Sequence, residues 1–406
     1  MQSTPLSMRK HIAIFGNTNA GKSTLFNALL GQEMAIVSDV RGTTTDPVTK
    51  AMELIPYGPV ALIDTAGLND DTELGTQRAE KTSDILKRSD LILYTVDLTE
   101  LQRTPDPKSS RPVIVVLTKA DLVDAEALSA AKKRFPEAVA YRPDDPKTVE
   151  TLKQRMITAL QKQQRDDETL LGDLLPQGSQ VVLVTPIDEE APKGRLILPQ
   201  IQVLRDCLDH DMRAYVTKET TLRRALQEIN HVDLVVTDSQ AFQIVNEIVP
   251  PEVPLTSFSM LLARQKGNFM QLLHGAETIK NLKDGDRILM MEGCTHNSNH
   301  ADIGRVKLPR LLEKRTGAKL DYTYFTGYQF PDDLADYALA IQCGMCMINK
   351  QEIASRLSRF QAEGLPVTNY GMVLAALNGI LDRAKQIFMK ESAGAAHAET
   401  GAYRAD

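Results

Sequence analysis

The stretch Gly16-Asn17-Thr18-Asn19-Ala20-Gly21-Lys22-Ser23 constrains the fold of this chain more than any other feature. It satisfies the G-x-x-x-x-G-K-[ST] pattern in full. An apolar run, His11 to Phe15, precedes it and a helix-like run, Thr24 to Leu30, follows it. A strand, a glycine loop and a helix in that order form a phosphate cradle. Glycines let backbone N–H groups wrap the phosphates, and the helix start adds favourable dipole. Asn19, Gly21, Lys22, Ser23 and Thr24 are the expected nucleotide-binding residues of this loop. Lys22 is expected to reach the β- and γ-phosphates, and Ser23 to bind Mg²⁺.

Further motifs choose the nucleotide. Asp64-Thr65-Ala66-Gly67 follows the apolar run Val60 to Ile63 and reads as a D-x-x-G motif. Asp64 is expected to hold Mg²⁺ through water, and the Gly67 N–H to meet the γ-phosphate. Between the two motifs, Arg41-Gly42-Thr43-Thr44-Thr45-Asp46 resembles the first switch of the family that includes the tRNA-modifying GTPases. That match makes Thr44 the switch threonine on Mg²⁺, sensing the γ-phosphate. Thr118-Lys119-Ala120-Asp121 stands where N-K-x-D is usual. Asp121 can accept from the guanine N1–H and amino group, so GTP is the expected nucleotide. Thr118 is expected to lose the amide that ties the loops together and to weaken affinity. No last guanine loop is legible near Ala140-Tyr141. The residue after D-x-x-G is Leu68, not the water-positioning glutamine of Ras-type enzymes. Asn19 sits where potassium-activated GTPases place a K⁺-binding asparagine, although its loop position also suits turn geometry.

At 406 residues the chain is too long for one core. The expected fold class is α/β: a P-loop GTPase domain (1–168), a middle α/β domain read as a scaffold or association module (169–258), which the resemblance described below makes a dimerisation domain, a C-terminal α/β domain bearing three of the four cysteines (259–390) and a disordered tail (391–406). Helices are expected at Lys147 to Gln164 and, as one piece, at Val373 to Phe388. The net charge of −6 carries no nucleic-acid signal. No apolar run approaches membrane-spanning length and no leader is legible, so a cytoplasmic protein is expected. Four cysteines are too sparse for a disulfide framework.

Cys294-Thr295-His296 and Cys343-Gly344-Met345-Cys346 both follow strand-like runs. In parallel α/β sheets, ligand sites gather at the carboxyl edge of the strands, so the three sulfurs can converge. Zinc held by Cys₃His, a C-x-x-C redox pair and a [4Fe–4S] cluster with one replaceable ligand all fit. Cys207 lies among apolar helix positions and is expected in the core.

A P-loop GTPase, a middle α/β domain and a C-terminal C-x-H…C-x-x-C domain together resemble the [FeFe]-hydrogenase maturation GTPases, the F-type maturases. The runs Ala191 to Gln200 and Asp302 to Pro309 look like that family too, so the likeness covers about Lys10 to Phe388. It implies a homodimer joined through the middle domain. It implies a scaffold that takes a di-iron precursor from radical SAM maturases and delivers it to the hydrogenase apoprotein, without nucleic acid or membrane. It maps the cluster cysteines onto Cys294, Cys343 and Cys346. The family often has His-Cys-x-x-Cys, whereas Gln342 precedes Cys343 here. His296, His300, Asp302 or water is then left as the fourth ligand. The competing functions are a ribosome- or tRNA-linked GTPase with a structural zinc domain, and a plain zinc adaptor.

Overall fold

In the computed structural model the described residues are 4–31, 48–65, 85–103, 109, 111–163, 169–187, 196–293 and 303–389. The chain divides into two compact units, Met1–Asp167 and Glu168–Asp406.

In the first unit the apolar run before the glycine loop is strand β1 (Lys10–Gly16), and the run after it is helix α1 (Lys22–Leu30). Strands β2 (Val48–Leu54), β3 (Gly58–Asp64), β4 (Leu91–Asp97), β5 (Val113–Thr118) and β6 (Val139–Ala140) complete one sheet, ordered β2-β3-β1-β4-β5-β6. Only β2 is antiparallel. Parallel strands are covered on both faces, which is why they read as continuous apolar runs; β4 is buried at every position. Ile12, Ile14, Leu62 and Leu93 pack on one face with Leu25 and Leu29 of α1. Helix α3 (Pro146–Gln163) joins them through Leu152, Met156 and Leu160. Tyr94, Val96 and Leu117 face the other way, toward Ala131 and Phe135. Helix α2 (Ala125–Arg134) is started by the Asp124 carboxylate, which accepts from the Ala127 N–H at 2.8 Å, and ends in Lys132, Lys133 and Arg134.

The second unit contains two all-parallel sheets. Strands β7 (Gln180–Val184), β8 (Arg213–Thr217), β9 (Leu234–Thr237) and β10 (Leu255–Ser257) are ordered β10-β9-β7-β8. Strands β11 (Arg287–Glu292), β12 (Asp321–Thr326), β13 (Tyr337–Gln342) and β14 (Val367–Asn369) are ordered β12-β11-β13-β14. Helices α4 (Leu198–Asp209), α5 (Leu222–Glu228) and α6 (Phe242–Ile248) accompany the first sheet. Helices α7 (Phe258–Lys266), α8 (Phe269–Glu277), α9 (Leu308–Thr316), α10 (Lys350–Ala362) and α11 (Tyr370–Leu377) follow. One continuous core runs through both sheets. It joins Val182 and Val235 to Phe258 and Leu261 of α7, then to Leu289, Ala340 and Val367. The other face of the second sheet packs Ile288, Met290, Leu339 and Ile341 against Leu308 and Leu312. Cys207 lies fully buried in the continuous core, and burial pushes its thiol up to about 12.

The single helix expected over Val373 to Phe388 is two. Helix α11 stops at Leu377, and Gly379 takes a left-handed φ of 70° before a second helix occupies 381–389. A glycine at that conformation ends a helix without steric cost. Arg383, on the second piece, donates to the carbonyls of Asn246, Val249, Pro250 and Val253, clasping the proline-rich turn after α6. The strands β12 and β14 and the helices α7 to α9 were not anticipated. The two strands are short or polar at alternate positions, whereas α9 carries Leu308, Leu311 and Leu312 at helical spacing, a signal that was available and not used.

Gly275 on α8 lies against β14, where an added Cβ would overlap the Val367 main chain. Alanine in a helix interior is worth about 1 kcal/mol over glycine. Overpacking against backbone costs roughly 1–3 kcal/mol or more, so the clash outweighs the propensity. Gly275→Ala is expected to lower the melting temperature of the second unit in calorimetry; a raised value would refute this packing.

Candidate functional site

Two groups of residues carry chemistry, one in each unit. In the first, Gly16 closes β1 at φ 153°, and an added Cβ would stand 2.6 Å from the Thr95 carbonyl oxygen. The chain then turns through Asn19, at φ 60°, and Gly21, at φ 77°, into α1. The free N–H groups of the first helical turn, at Lys22, Ser23 and Thr24, therefore open on the loop. The Lys22 ammonium donates to the carbonyls of Asn17 at 2.7 Å and Gly16 at 3.3 Å. Burial holds its pKa below the ordinary lysine value, with the Asp64 carboxylate opposing.

Asp64 ends β3 beside the loop, and Ser23 Oγ donates to its Oδ2 at 2.8 Å. Burial holds the Asp64 carboxyl above its usual range, with the Ser23 hydrogen bond and Lys22 opposing. Asp64 Oδ1 is buried with no hydrogen-bond partner among the described residues. A hydroxyl and an oxygen-rich carboxylate with a spare lone pair suit a hard divalent cation such as Mg²⁺. Thr65 ties this strand to β1 through its hydroxyl bond to Ile14 O at 2.7 Å. Thr44, Gly67 and Leu68 lie outside the described residues.

At the far end of the same sheet edge, Thr118 corrects the sequence expectation. Its hydroxyl is placed to donate to Ala20 O at 2.9 Å and Val96 O at 3.1 Å. The loop tie that an asparagine amide would make is thus made by the hydroxyl. Lys119, at φ 55°, forms an ion pair of 2.5 Å with Asp97, which also accepts from the Thr99 N–H and hydroxyl. Burial pushes the Asp97 carboxyl up, but these donors outweigh it and hold the group below its usual range. Asp121 is exposed at the turn that follows. Tyr141 follows β6 and donates its N–H to Leu117 O at 2.8 Å. Burial, then the Asp121 charge, pushes its hydroxyl pKa up. The Ala140-Tyr141 segment therefore lies beside the guanine motif although it has no recognisable pattern. Asp97 was missed; its position at the end of the apolar run Leu91 to Val96 was the available signal.

In the second unit Cys343 follows β13 and Cys346 stands three residues on, so both sulfurs ride one loop at the carboxyl edge of the sheet. The loop is pinned by the Cys343 N–H bond to Met291 O at 2.8 Å. Cys343 Sγ accepts from the N–H of Gly293 at 3.0 Å and of Met345 at 3.4 Å. Burial pushes this thiol up to about 11, against the two N–H bonds. Gly293 is the residue before Cys294, so the end of β11 reaches Cys343. Cys294, His296, His300 and Asp302 themselves lie outside the described residues. Among the described residues no three His, Cys, Asp or Glu side chains converge for a metal ion. Sulfurs presented with amide donors do fit a thiolate-bound iron–sulfur group, whose sulfurs are stabilised by hydrogen bonds. Gln342 is buried with its Oε1 unpartnered. Two charged residues went unremarked in the sequence. Lys266, from α7, points at the loop, and Glu292, at the end of β11, is buried and paired with Arg305 at 3.2 Å.

Family models divide the chain along these lines. Residues 11–119 match the 50S ribosome-binding GTPase model, 170–267 the hydrogen maturase F dimerization domain and 270–387 the hydrogen maturase F tetramerization domain. The chain is 40% identical over 120 residues to the probable tRNA modification GTPase MnmE of Cyanidioschyzon merolae, covering 29% of this chain and 27% of that protein. It is 40% identical over 116 residues to tRNA modification GTPase MnmE of Thermus thermophilus, covering 28% and 26%. The chain thus spans about a quarter of the length of these curated relatives. A structure of an Era variant from Aquifex aeolicus bound to GDP and aluminium fluoride aligns at 19% identity with a TM-score of 0.30, over 79% of this chain and 94% of that one. The first unit is a P-loop GTPase domain, followed by the two association domains. Among the described residues no helix is long and apolar enough to cross a membrane.

Removing the Thr118 hydroxyl deletes hydrogen bonds worth about 1 kcal/mol in net terms. Thr118→Val is therefore expected to weaken GTP binding roughly fivefold, as read by titration calorimetry. Unchanged affinity would mean that the loop tie is not needed.

Proposed function

We propose that this chain, which belongs to the hydrogen maturase F family, is a GTP-hydrolysing scaffold that carries a [4Fe–4S] cluster. We infer further that it passes a di-iron precursor from radical SAM maturases to the [FeFe]-hydrogenase apoprotein in the cytoplasm. The observation that carries this reading is the cysteine loop. Cys343 and Cys346 share one turn at a sheet edge, and the residue before Cys294 donates to Cys343 Sγ. The likeness to tRNA modification GTPases covers 29% and 28% of this chain in the two relatives and supports only the nucleotide part.

Hydrolysis joins a water oxygen to the γ-phosphorus and breaks its bond to the β–γ bridging oxygen, giving GDP and phosphate. The loop amides and Lys22 orient the phosphates and neutralise charge gathering on the bridging oxygen. Lys22 exchanges its present bonds to Asn17 O and Gly16 O for phosphate oxygens. Ser23, Thr44 and, through water, Asp64 would hold Mg²⁺, which would supply positive charge to the phosphates. Gly67 is assigned to the γ-phosphate and Asn19 to K⁺. Lys119 and Asp121 hold the base, and Asp97 fixes Lys119 in place. Cys294, Cys343 and Cys346 would hold the cluster, and His296 is assigned to its exchangeable position. Such a cluster would supply an iron with a replaceable ligand, which suits a carrier.

Self-association is expected through the first sheet of the second unit. Strand β8 is the outer strand there, and its Tyr215 and Val216 are 37% and 50% exposed. An outer strand with apolar side chains invites pairing with a second copy. A charge there desolvates poorly, so Val216→Glu is expected to weaken the dimer at least tenfold in analytical ultracentrifugation. An unchanged dimer would move the interface elsewhere.

Anaerobic reconstitution is expected to give about four iron and four sulfide per chain. Serine at Cys343 or Cys346 should remove most of it, and Cys207→Ser should not. Lys22→Ala should abolish GTP turnover and keep the iron, because phosphates and thiolates are served by different units. Stoichiometric zinc without iron uptake would replace the carrier reading with a zinc adaptor.

A further inference from the structure

Helix α7 starts on the carboxyl edge of one sheet and ends at the cysteine loop of the other. Ser257 caps its start, its hydroxyl accepting from the Met260 N–H at 3.3 Å. Its last residue, Lys266, is 8% exposed. The Lys266 ammonium lies 3.5 Å from Met345 O and 3.4 Å from Cys346 O. Among the described residues no carboxylate pairs with it. Arg264, two residues earlier on the helix, is already engaged by Asp173 and Thr169 O. Burial pulls the Lys266 pKa down, and the charges of Cys346 and Cys343 push it up.

A buried ammonium bonded only to carbonyls is an unfavourable arrangement. Desolvation of one ion costs several kcal/mol and neutral dipoles return part of it. The arrangement becomes favourable when anions arrive on the same loop. Two thiolates, or a cluster held by three, bring net negative charge to that place. The carbonyls meanwhile hold the turn, in which Met345 adopts a left-handed φ of 48°.

We propose that Lys266 is a positioning residue of the cysteine loop. It supplies the fixed positive charge that balances a thiolate-bound metal group there and so sets how readily that group is reduced. Lys266 has this role only where an iron–sulfur cluster sits on these cysteines, as proposed above. Net charge near a cluster is one of the terms that set its potential. Removing a positive charge disfavours the reduced, more negative state.

The experiment compares full-length wild type with Lys266→Met, Lys266→Gln and Lys266→Arg after anaerobic reconstitution with iron and sulfide. It reads iron and sulfide content, the rate of iron loss to a chelator, and the midpoint potential by EPR-monitored redox titration. The Met and Gln variants are expected to have a more negative potential and to lose iron several-fold faster. The Arg variant, with a cavity of about 20 Å³ beside Lys266 to extend into, is expected to stay near wild type. Gln keeps N–H donors for the two carbonyls, so a role in loop geometry alone would leave it at wild-type potential. It also serves if Met does not fold. A wild-type potential and iron retention in the Gln variant would overturn the proposal, as would an equal shift in the Arg variant. Wild type without iron would overturn the scaffold reading itself, and the role of Lys266 with it.

Discussion

Parallel strand pairing is the constraint from which the sites follow. Each sheet is parallel apart from β2, and its central strands are covered on both faces and spend their side chains on the core. Chemistry is left to the loops at the carboxyl edge, where backbone groups of successive strands are not used by the ladder. Gly16 after β1, Asp64 at the end of β3, Asp97 at the end of β4 and Thr118 at the end of β5 stand along one such edge. Glu292 at the end of β11 and Cys343 after β13 stand along another. The strand register then fixes distances that no local sequence could. Met291 pairs with Gln342, which puts the residues after them within reach of each other.

The two edges use opposite electrostatics. The glycine loop gathers N–H dipoles and a lysine that is waiting for an anion, with Asp64 on the strand beside it. The cysteine loop gathers two thiols and a lysine buried against carbonyl oxygens. In both, among the described residues, a buried amine has no carboxylate in direct ion-pair contact and bonds to main-chain carbonyls instead. Burying such an amine is costly, and an anion bound beside it offsets that cost. The cost is the physical sense in which each site is built for its ligand rather than for stability.

Local sequence revealed what local physics controls. The phosphate loop was legible because a strand, a glycine-rich turn and a helix start are contiguous, and no other residue type allows the backbone at Gly16. The apolar runs of β1, β3, β5 and β13 were legible because strands buried on both faces need no alternation, whereas the run of β4 went unread. Short strands such as β10 and β14, with three residues each, carry too little pattern to be seen. Helix α7 is mostly buried, with the consecutive apolar run Met260 to Ala263 in the core, so its period is lost.

By itself the sequence determined the phosphate chemistry at Lys22, Ser23 and Asp64, the two-sulfur bite at Cys343 and Cys346, and the α/β class. Those depend on residue types at short spacing, which the chain fixes covalently. Only the tertiary structure decided that Thr118 replaces an amide tie by a hydroxyl, that Asp97 holds Lys119, and that Lys266 ends beside the cysteines 77 residues and more downstream. Each of these is a contact between the ends of separate elements. Strand order and helix packing set it, and no motif spans the gap.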